Sequence, residues 1–435
     1  MQLPQPPLPT TTAAAGNSPT TTSKDHTKTT IAVILTTSLF SLLFIFSLSP
    51  STSLHTSSGH TRPDPFLFPT RQPTFTKLPS DLPVSPPSIA YLISGSKSDS
   101  DRILRLLHAT YHPKNHYLLH LDRFAPQSER DKLAINVQSV PVFKAALNVN
   151  VIGKADFAYP RGSSPISATL HGAAILLRLS KNWDWFVNLN AGDYPLVTQD
   201  DLLHIFSYLP RDFNFVNHTS YIGWREAKRL KPIIVDPGLY LSERSDMFYA
   251  TQKRELPNAF RIFSGSSFSI LSRNLIDHCI LGTDNFPRIL MMYFSNTPSA
   301  LTNYFPSIIC NSRQFNRTVV NHNLQYAAFE KPSKQEPRML NSSEFDAMIM
   351  SGAAFATQFR LNDPVLDRID QELLGRSPEQ VVPGGWCLGE PGNSTCSVWG
   401  DADVLRPGPG AARLEKRIVE MLSRSVLRSR QCIVE

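Results

Sequence analysis

A strand–helix–strand pattern at residues 88–123 restricts the fold of this chain more than any other feature of its sequence. The stretch SIAYLISG reads as a buried strand that breaks at Ser94, Gly95 and Ser96, and apolar residues at helical spacing follow it. NHYLLHLDR reads as the next strand and ends at Asp122. Strand, helix and strand within about 30 residues predict a right-handed βαβ unit of a mostly parallel sheet.

Further strand-like and helical stretches continue this pattern toward residue 281. The strand-like stretches span 149–152, 185–189, 213–216 and 268–271, and the helical ones span 165–180, 199–208 and 274–281. They predict an α/β sandwich, in which ligands gather at the C-terminal ends of the strands. Three strand ends are therefore candidate sites: residues 94–96, Asp122, and Asp193 in NLNAGDYP. For each of them, plain turn chemistry or a helix cap is the alternative.

The strand end at Asp193 lacks the Asp-x-Asp that holds a metal in many nucleotide-sugar transferases. Asp99-Ser100-Asp101 lies in the first turn of a predicted helix, where carboxylates favour the helix dipole. Asp401-Ala402-Asp403 has no strand behind it that would fix two carboxylates on one ion. We therefore expect no metal site. The sequence also contains no HExxH, GxSxG or P-loop motif, which leaves metalloprotease, lipase and kinase functions unsupported.

The N-terminal residues predict a membrane anchor. Residues 1–30 are rich in Pro, Thr and Ala and are expected to form a disordered cytosolic tail. Residues 31–49 are uncharged, and a transmembrane helix needs about 20 such residues. Lys24 and Lys28 precede this segment, so the positive-inside rule places the tail in the cytosol and the rest in the lumen. A cleaved signal peptide is the alternative.

A proline-rich stem and one large domain are expected to follow the anchor. Residues 50–87 contain nine prolines and predict an extended stem, and residues 88–435 form a single luminal domain. This layout is typical of Golgi-resident enzymes, and tethered binding proteins share it. Four glycosylation sequons lie on the predicted luminal side, at Asn217, Asn316, Asn341 and Asn393.

Cysteines and net charge add weaker indications. Five cysteines leave at least one thiol free or paired between chains. Cys387 and Cys396 lie in a Gly/Pro-rich loop without a nearby His, which favours a local disulfide over a zinc site. The net charge of +7 suits an acidic substrate or a phosphate donor, with a generic basic surface as the alternative. No nucleic-acid-binding motif accompanies this charge.

Seven sequence blocks in one order carry a family resemblance: IAYLISG, YHPKNHYLLHLD, NLNAGDYPLVTQDDLLH, GWREAKRLKPIIVDPGLY, FRIFSGSSFSILSR, IICNSRQFNRTVVNHNLQY and RPGPGAARLEK. Over residues 88–425 the chain resembles the plant branch of the core-2/I-branching glycosyltransferase family, whose plant members are β-glucuronosyltransferases of arabinogalactan proteins. The resemblance implies a type II Golgi membrane enzyme with a GT-A-like nucleotide-binding fold. It also implies an inverting transfer from a UDP-sugar to an arabinogalactan-type glycan, with no divalent metal and no other cofactor.

The resemblance also implies roles for individual residues. In the animal relatives a Lys stands twenty residues after the second paired cysteine, a position that Lys416 occupies here. Their Arg position is Asn393 in this chain, so Arg413, or else Arg406, is assigned to the donor diphosphate with Lys416. A basic face on an amphipathic C-terminal helix is the alternative. By the same matching, Asp122 is expected to meet the uridine, Tyr159 to line the donor pocket and Tyr326 to contribute the acceptor platform. Ser94 and Gly95 are assigned to the donor side from their place at a strand end.

The catalytic base departs from the family pattern. The Glu that many plant relatives carry before Ile-Cys-Asn is Thr302 here, and a Thr cannot accept a proton near neutral pH. We therefore take Glu330 as the first candidate base and Asp193 as the second. Glu330 as a surface residue and Asp193 as a turn residue are the alternatives. The family's frequent basic pair in Phe-Ala-Arg-Lys-Phe is likewise replaced, by Thr357 and Gln358.

Two functions remain open at this point. The first is transfer of glucuronate from UDP-glucuronate to galactan chains, for which two basic clusters can bind the uronate carboxylate. Solvated surface is the alternative for both clusters, which are Arg225, Lys228, Arg229 and Lys231, and Lys253 and Arg254. The second is a catalytically inert family member that binds a glycan or a partner enzyme in the Golgi.

Overall fold

The structure is a computed structural model that describes residues 85–240, 246–330, 336–389, 396, 398–429 and 431–432. The predicted tail, the predicted anchor, most of the predicted stem and the sequon at Asn393 lie outside these residues. Within the described ranges, no helix is both long enough and apolar enough to cross a bilayer.

The strands of the described residues are short and are numbered here in chain order. They are β1 (Ile89–Gly95), β2 (His116–Leu121), β3 (Val149–Val151), β4 (Trp185–Asn190), β5 (Asp193–Pro195), β6 (Asn214–Phe215), β7 (His218–Thr219), β8 (Pro232–Val235), β9 (Phe248–Lys253), β10 (Ser264–Gly265), β11 (Ile270–Ser272), β12 (Val319–Val320), β13 (Gln325–Ala327) and β14 (Phe355–Thr357).

Helices connect most of these strands. They are α1 (Ser100–Thr110), α2 (Gln127–Ser139), α3 (Pro141–Ala146), α4 (Ser164–Leu179), α5 (Gln199–Ser207), α6 (Trp224–Leu230), α7 (Arg273–Ile280), α8 (Phe286–Phe294), α9 (Leu301–Asn311), α10 (Phe345–Met350), α11 (Pro364–Ile369), α12 (Pro409–Leu422) and α13 (Arg424–Ser429).

One mixed sheet forms the centre of the fold, in the strand order β12-β6-β11-β4-β1-β2-β3. β1 runs parallel to both β2 and β4, which confirms the predicted βαβ unit and the α/β class. Only β11 is antiparallel to its neighbours β4 and β6 in this sheet. Because β11 lies between them, β6 runs in the same direction as β4. The C-terminal ends of β1, β2, β4, β6 and β12 therefore share one edge.

Burial on both sides explains why the central strands are apolar throughout. Residues 89–93 of β1 are buried along their whole length, as is typical of a parallel strand covered by helices on both faces. On one side, α1 buries Ile103, Leu106 and Leu107, and each such side chain contributes about 2 kcal/mol. On the other side, α4 lies close to the sheet at Gly172, where a Cβ would approach Leu92 Cδ1 to 2.7 Å. A larger residue at Gly172 would push the helix away.

A second, small sheet follows the main one at the end of β4. β5 pairs antiparallel with β14, and β14 pairs in parallel with β13. β8 and β9 form a separate antiparallel pair. These short strands were not predicted from the sequence.

Two disulfides are present. Cys387 and Cys396 are bonded, and Cys310 is bonded to Cys432 across a sequence separation of 122 residues. The fifth cysteine, Cys279, is a buried free thiol. Nothing in the sequence predicted the pairing of Cys310 with Cys432.

Candidate active site

The ends of β1 and β2 form one hydrogen-bonded cluster around Asp122. The Asp122 backbone N–H donates to Gly95 O at 2.9 Å, and Ser96 Oγ donates to the Asp122 carboxylate at 3.0 Å. Phe124 N–H donates to the same oxygen at 3.0 Å. Burial raises the pKa of Asp122 to about 6, against the opposing effect of these hydrogen bonds.

The end of β4 joins the same cluster. Ala191 N–H donates to Ser94 O at 2.7 Å. A Cβ at Gly95 would lie 2.8 Å from the Cβ of Asp99 and 3.1 Å from the Cβ of Ala191, so only glycine allows these three segments to meet. The strand ends at 94–96, at Asp122 and at 191–193 are thus adjacent along one edge of the sheet.

Asp193 is committed to hydrogen bonds within the protein. Its buried carboxylate accepts from Asn190 N–H at 2.7 Å and from Gln325 Nε2 at 3.1 Å, and it also bonds to the Thr357 side chain. Burial raises the pKa of Asp193 to about 6, and the bonds from Thr357 and Asn190 oppose this rise. These contacts give the carboxylate a structural task, which is to close the turn after β4 and hold β13 and β14 against it.

The loop 159–164 carries Tyr159 to the Asp122 cluster. The Tyr159 ring packs edge-on against Phe124, with ring centroids 4.9 Å apart, and its N–H donates to Ser164 Oγ at 3.0 Å. Burial raises the pKa of Tyr159, and the charges of Asp236 and Asp122 raise it further. Tyr159 and Asp122, which were assigned separately to the donor side, are therefore close together.

Asp236, which our sequence analysis did not single out, fixes this loop. Its fully buried carboxylate accepts from Ser163 N–H at 2.8 Å and from Ser164 N–H at 2.7 Å, at the beginning of α4. Its other oxygen accepts from Gly238 N–H at 2.8 Å. A carboxylate at a helix N-terminus is favoured by the dipole and by the unpaired N–H groups. In the sequence, the Val-Asp-Pro-Gly turn at the end of β8 could have pointed to Asp236.

The N-terminus of α9 docks on the same loop. Ser299 N–H donates to Arg161 O at 2.9 Å, and Ala300 N–H donates to Gly162 O at 3.2 Å. Thr302 is therefore close to the Tyr159 loop. Its hydroxyl donates to Ser299 O at 2.8 Å and accepts from Asn303 Nδ2 at 3.1 Å. The hydroxyl is thus used inside the first turn of the helix.

Tyr326 and Asp193 face opposite sides of the small sheet. Tyr326 pairs with Ala356 in register, whereas Asp193 pairs with Thr357, and neighbouring positions along a strand point to opposite faces. Glu330 is exposed, three residues beyond β13. The pKa of Arg338 is raised chiefly by its hydrogen bond with Glu344, and the charges of Tyr326 and Glu330 contribute further. Tyr326 and Glu330 therefore both lie within electrostatic range of Arg338.

The cations assigned to the diphosphate lie on α12. Arg413 Nη2 donates to Leu196 O at 3.2 Å, and burial lowers the pKa of Arg413 while Asp201 opposes this effect. Lys416 is exposed. The backbone N–H of Arg406 donates to the buried carboxylate of Asp200 at 2.6 Å. Arg413 is thus partly engaged, whereas the Lys416 ammonium faces solvent.

The two basic clusters are neighbours in the structure. Arg254 N–H donates to Lys231 O at 2.9 Å, which joins the end of α6 to the end of β9. Arg254 also lies over the Tyr293 ring at 3.8 Å, and Lys231 forms an ion pair with Glu255 at 2.7 Å. Arg229 pairs with Glu226. The remaining cations are exposed: Arg225, Lys228 and Lys253.

Three of the predicted glycosylation sites fall in the described residues. Asn217 and Asn341 are exposed, and Asn316 is partly buried. Asn341 also caps the short 3-10 turn Ser342–Glu344 through a bond from Ser343 N–H at 2.9 Å.

Comparisons with known proteins place the chain in a family. The family model described as Core-2/I-Branching enzyme matches residues 89–349. Beta-glucuronosyltransferase GlcAT14A of Arabidopsis thaliana is 50% identical over 355 residues, which cover 81% of this chain and 79% of the relative. GlcAT14B and GlcAT14C of the same plant, which carry the same enzyme name, are 48% and 44% identical over 88% and 80% of this chain, and these matches cover 91% and 85% of the relatives. The α/β fold with its mixed sheet is that of a glycosyltransferase, and the chain belongs to the Core-2/I-branching enzyme family.

Proposed function

We propose that the chain is an inverting β-glucuronosyltransferase that moves glucuronate from UDP-glucuronate to galactan chains of arabinogalactan proteins. In this proposal residues 31–49 anchor it in the Golgi membrane with the catalytic domain in the lumen. The names of the three Arabidopsis thaliana relatives support the donor sugar. The acceptor and the compartment rest on the sequence resemblance and on the layout of the N-terminal 87 residues.

One observation carries the proposal, namely that Asp122, the Tyr159 loop and the N-terminus of α9 form a continuous set of contacts. Asp122 lies at a strand end where α/β sheets bind nucleotides. Tyr159 contacts it through Phe124, and the loop behind Tyr159 supports the helix that carries Thr302. A uridine at Asp122 would therefore place the sugar end of the donor near the base position of the family.

The departing diphosphate must be neutralised by fixed cations if no metal takes part. The Asp193 carboxylate supports a reaction without a metal, because its oxygens are already engaged in three hydrogen bonds with the protein. Lys416 presents an exposed ammonium group, and Arg413 lies one turn away on α12. Arg102 also lies at the end of β4, because a Cβ at Gly192 would be 3.2 Å from its Nη2. Arg102 is already paired with Asp99 at 2.9 Å and donates to Phe359 O at 2.7 Å, so we assign the diphosphate to Lys416 and Arg413.

A uronate donor also needs a partner for its own carboxylate. The ion pairs of Arg229 and Lys231 and the ring contact of Arg254 give these cations structural tasks, which favours the solvated-surface interpretation for them. The exposed cations of the two clusters keep their charge available, and Arg225 stacks on Trp224 at 5.4 Å. We therefore assign the carboxylate to Arg225, Lys228 or Lys253.

A catalytically inert, glycan-binding protein is the second candidate function. It is favoured by the Thr302 hydroxyl, which both donates and accepts within its helix, and by the Asp193 carboxylate, which already accepts three hydrogen bonds. If the chain is active, Glu330 is the candidate base whose carboxylate is exposed. Glu330 and Tyr326, the residue proposed for the acceptor platform, both act on the charge of Arg338, and this supports the assignment.

A transfer assay separates the two functions. The purified chain is given a β-galactan oligosaccharide and, in separate reactions, UDP-glucuronate, UDP-glucose, UDP-galactose or UDP-N-acetylglucosamine. We expect transfer from UDP-glucuronate alone. Glu330→Gln should then lower the rate at least ~10²-fold, as expected for a lost general base, whereas Glu372→Gln, an exposed ion-paired control, should not. If the parent transfers no sugar and Thr302→Glu restores transfer, the chain is an inert family member.

A further inference from the structure

Outside the candidate active site, three metal-ligating side chains meet at one point. The ligand atoms of His218, Cys310 and Cys432 all lie within 4.8 Å of one another. His218 Nε2 is 3.6 Å from Cys432 Sγ, and the two cysteines form a disulfide. The three residues come from β7, from the end of α9 and from the C-terminal segment. The disulfide thus connects the C-terminus to the helix that begins at Leu301.

The histidine is held in place by contacts other than the disulfide. His218 N–H donates to Asn321 Oδ1 at 2.8 Å, and Asn321 Nδ2 donates to His218 O at 2.9 Å. The Phe263 ring packs edge-on against the imidazole, with ring centroids 6.5 Å apart. His218 is only 5% exposed, and its Nδ1 makes no hydrogen bond with the described residues. The imidazole would therefore keep its position if the disulfide opened.

We propose that reduction of the Cys310–Cys432 disulfide creates a Zn²⁺ site formed by His218, Cys310 and Cys432. A dithiol reductant supplies two electrons and two protons; the S–S bond breaks, two thiols form and the dithiol becomes a disulfide. Zn²⁺ then displaces two thiol protons and binds two thiolates and one imidazole nitrogen. Three protein ligands leave the fourth position of a tetrahedral ion to water.

The present geometry suits zinc. With Zn–S about 2.3 Å and Zn–N about 2.0 Å, a tetrahedral ion separates its N and S ligands by about 3.5 Å. The 3.6 Å between His218 Nε2 and Cys432 Sγ matches this separation, and the two sulfurs have to move apart from their bonded distance. Partly exposed Cys432 offers the reductant a route to the bond, whereas Cys310 is fully buried. The metal would then keep the C-terminal segment attached to α9 under reducing conditions.

Zinc binding by the reduced full-length chain tests the proposal. The chain is reduced under native conditions with a dithiol, separated from it without oxygen, titrated with zinc against a chromogenic chelator, and then studied with Co²⁺ by absorption spectroscopy. We expect one Zn²⁺ per reduced chain, none per oxidised chain, and a thiolate-to-cobalt charge-transfer band. Bound zinc should also raise the melting temperature of the reduced chain.

Matched variants identify the ligands. His218→Gln and Cys432→Ser should each weaken zinc binding at least ~100-fold, because even groups around a metal's direct ligands typically contribute 10- to 100-fold. His204→Ala, which removes a partly exposed histidine elsewhere, and Cys387→Ser with Cys396→Ser, which remove the other disulfide, should leave it unchanged. The proposal is overturned if the reduced chain takes up no zinc, if His218→Gln binds as tightly as the parent, if zinc follows Cys387 and Cys396, or if reduction in the presence of zinc unfolds the chain.

Discussion

Replacing Asp236 with Asn tests whether a buried carboxylate organises the candidate donor site. Asp236 accepts three backbone N–H donors, from Ser163, Ser164 and Gly238, at 2.7 to 2.8 Å. An amide has one acceptor oxygen, so in Asp236→Asn an NH₂ group must face at least one of these donors. The substitution also removes a negative charge from the N-terminus of α4, a helix of 16 residues.

The magnitude follows from these two losses. One charge-assisted hydrogen bond contributes about 1.5–3 kcal/mol, and the carboxylate at the helix N-terminus contributes about 1 kcal/mol. We therefore expect the free energy of unfolding to fall by about 2.5–4 kcal/mol. Because the loop 159–164 would loosen, we also expect UDP to bind about tenfold more weakly, which corresponds to about 1.4 kcal/mol.

Urea denaturation followed by tryptophan fluorescence measures the free energy of unfolding, and isothermal titration calorimetry with UDP measures the UDP affinity. Asp277→Asn is the matched control, because Asp277 is 39% exposed and its ion pair with Arg273 at 3.7 Å should contribute no more than about 0.5 kcal/mol. An Asp236→Asn variant within 1 kcal/mol of the parent, with unchanged UDP affinity, would refute the reasoning.

The remaining predictions concern the metal, the pH and the membrane. Any transfer activity of the oxidised chain should survive excess EDTA, and Lys416→Glu should weaken UDP binding at least tenfold; activity lost to EDTA and restored by manganese would contradict this. UDP affinity should fall about tenfold per pH unit below the Asp122 pKa of about 6, because protonation removes the carboxylate acceptor, and Asp122→Asn should flatten that profile. Glycosidase-sensitive mass should disappear when the four sequon residues Asn217, Asn316, Asn341 and Asn393 are replaced. Glycans on the sequon-free variant, or no glycans on the parent, would contradict the topology.

The long elements of this fold could be predicted because their apolar residues repeat along the local chain. The predicted helix at 165–180 is Ser164–Leu179, and the predicted strand at 185–189 is Trp185–Asn190. The antiparallel direction of β11 could not be predicted, because periodicity gives the burial of a strand and not its orientation. β5 and β14 pair across about 160 residues, and strands of three residues are too short to show a period.

The candidate site also contains residues that the sequence could indicate and residues that it could not. Asp122 and Asp193 could be chosen as candidates from the sequence because strand ends are informative positions in an α/β sheet. Asp236 follows a short strand at an ordinary Asp-Pro-Gly turn, and its three partners lie in two separate segments. The Cys310–Cys432 pair was missed because cysteine counting cannot establish connectivity. Interactions that depend on tertiary contacts between unrelated segments thus account for most of what the sequence left open.

The position of the acceptor determines which carboxylate can act as the catalytic base in this structure. The small sheet presents Asp193 with Gln325 and Thr357 on one face and Tyr326 on the other, and both Tyr326 and Glu330 act on the charge of Arg338. The pKa of Asp193, raised to about 6 by burial, suits a base, but a sugar hydroxyl would first have to displace the bond from Gln325. The Glu330 carboxylate, by contrast, is exposed. An acceptor stacked on Tyr326 therefore selects Glu330, whereas an acceptor on the Gln325 face selects Asp193.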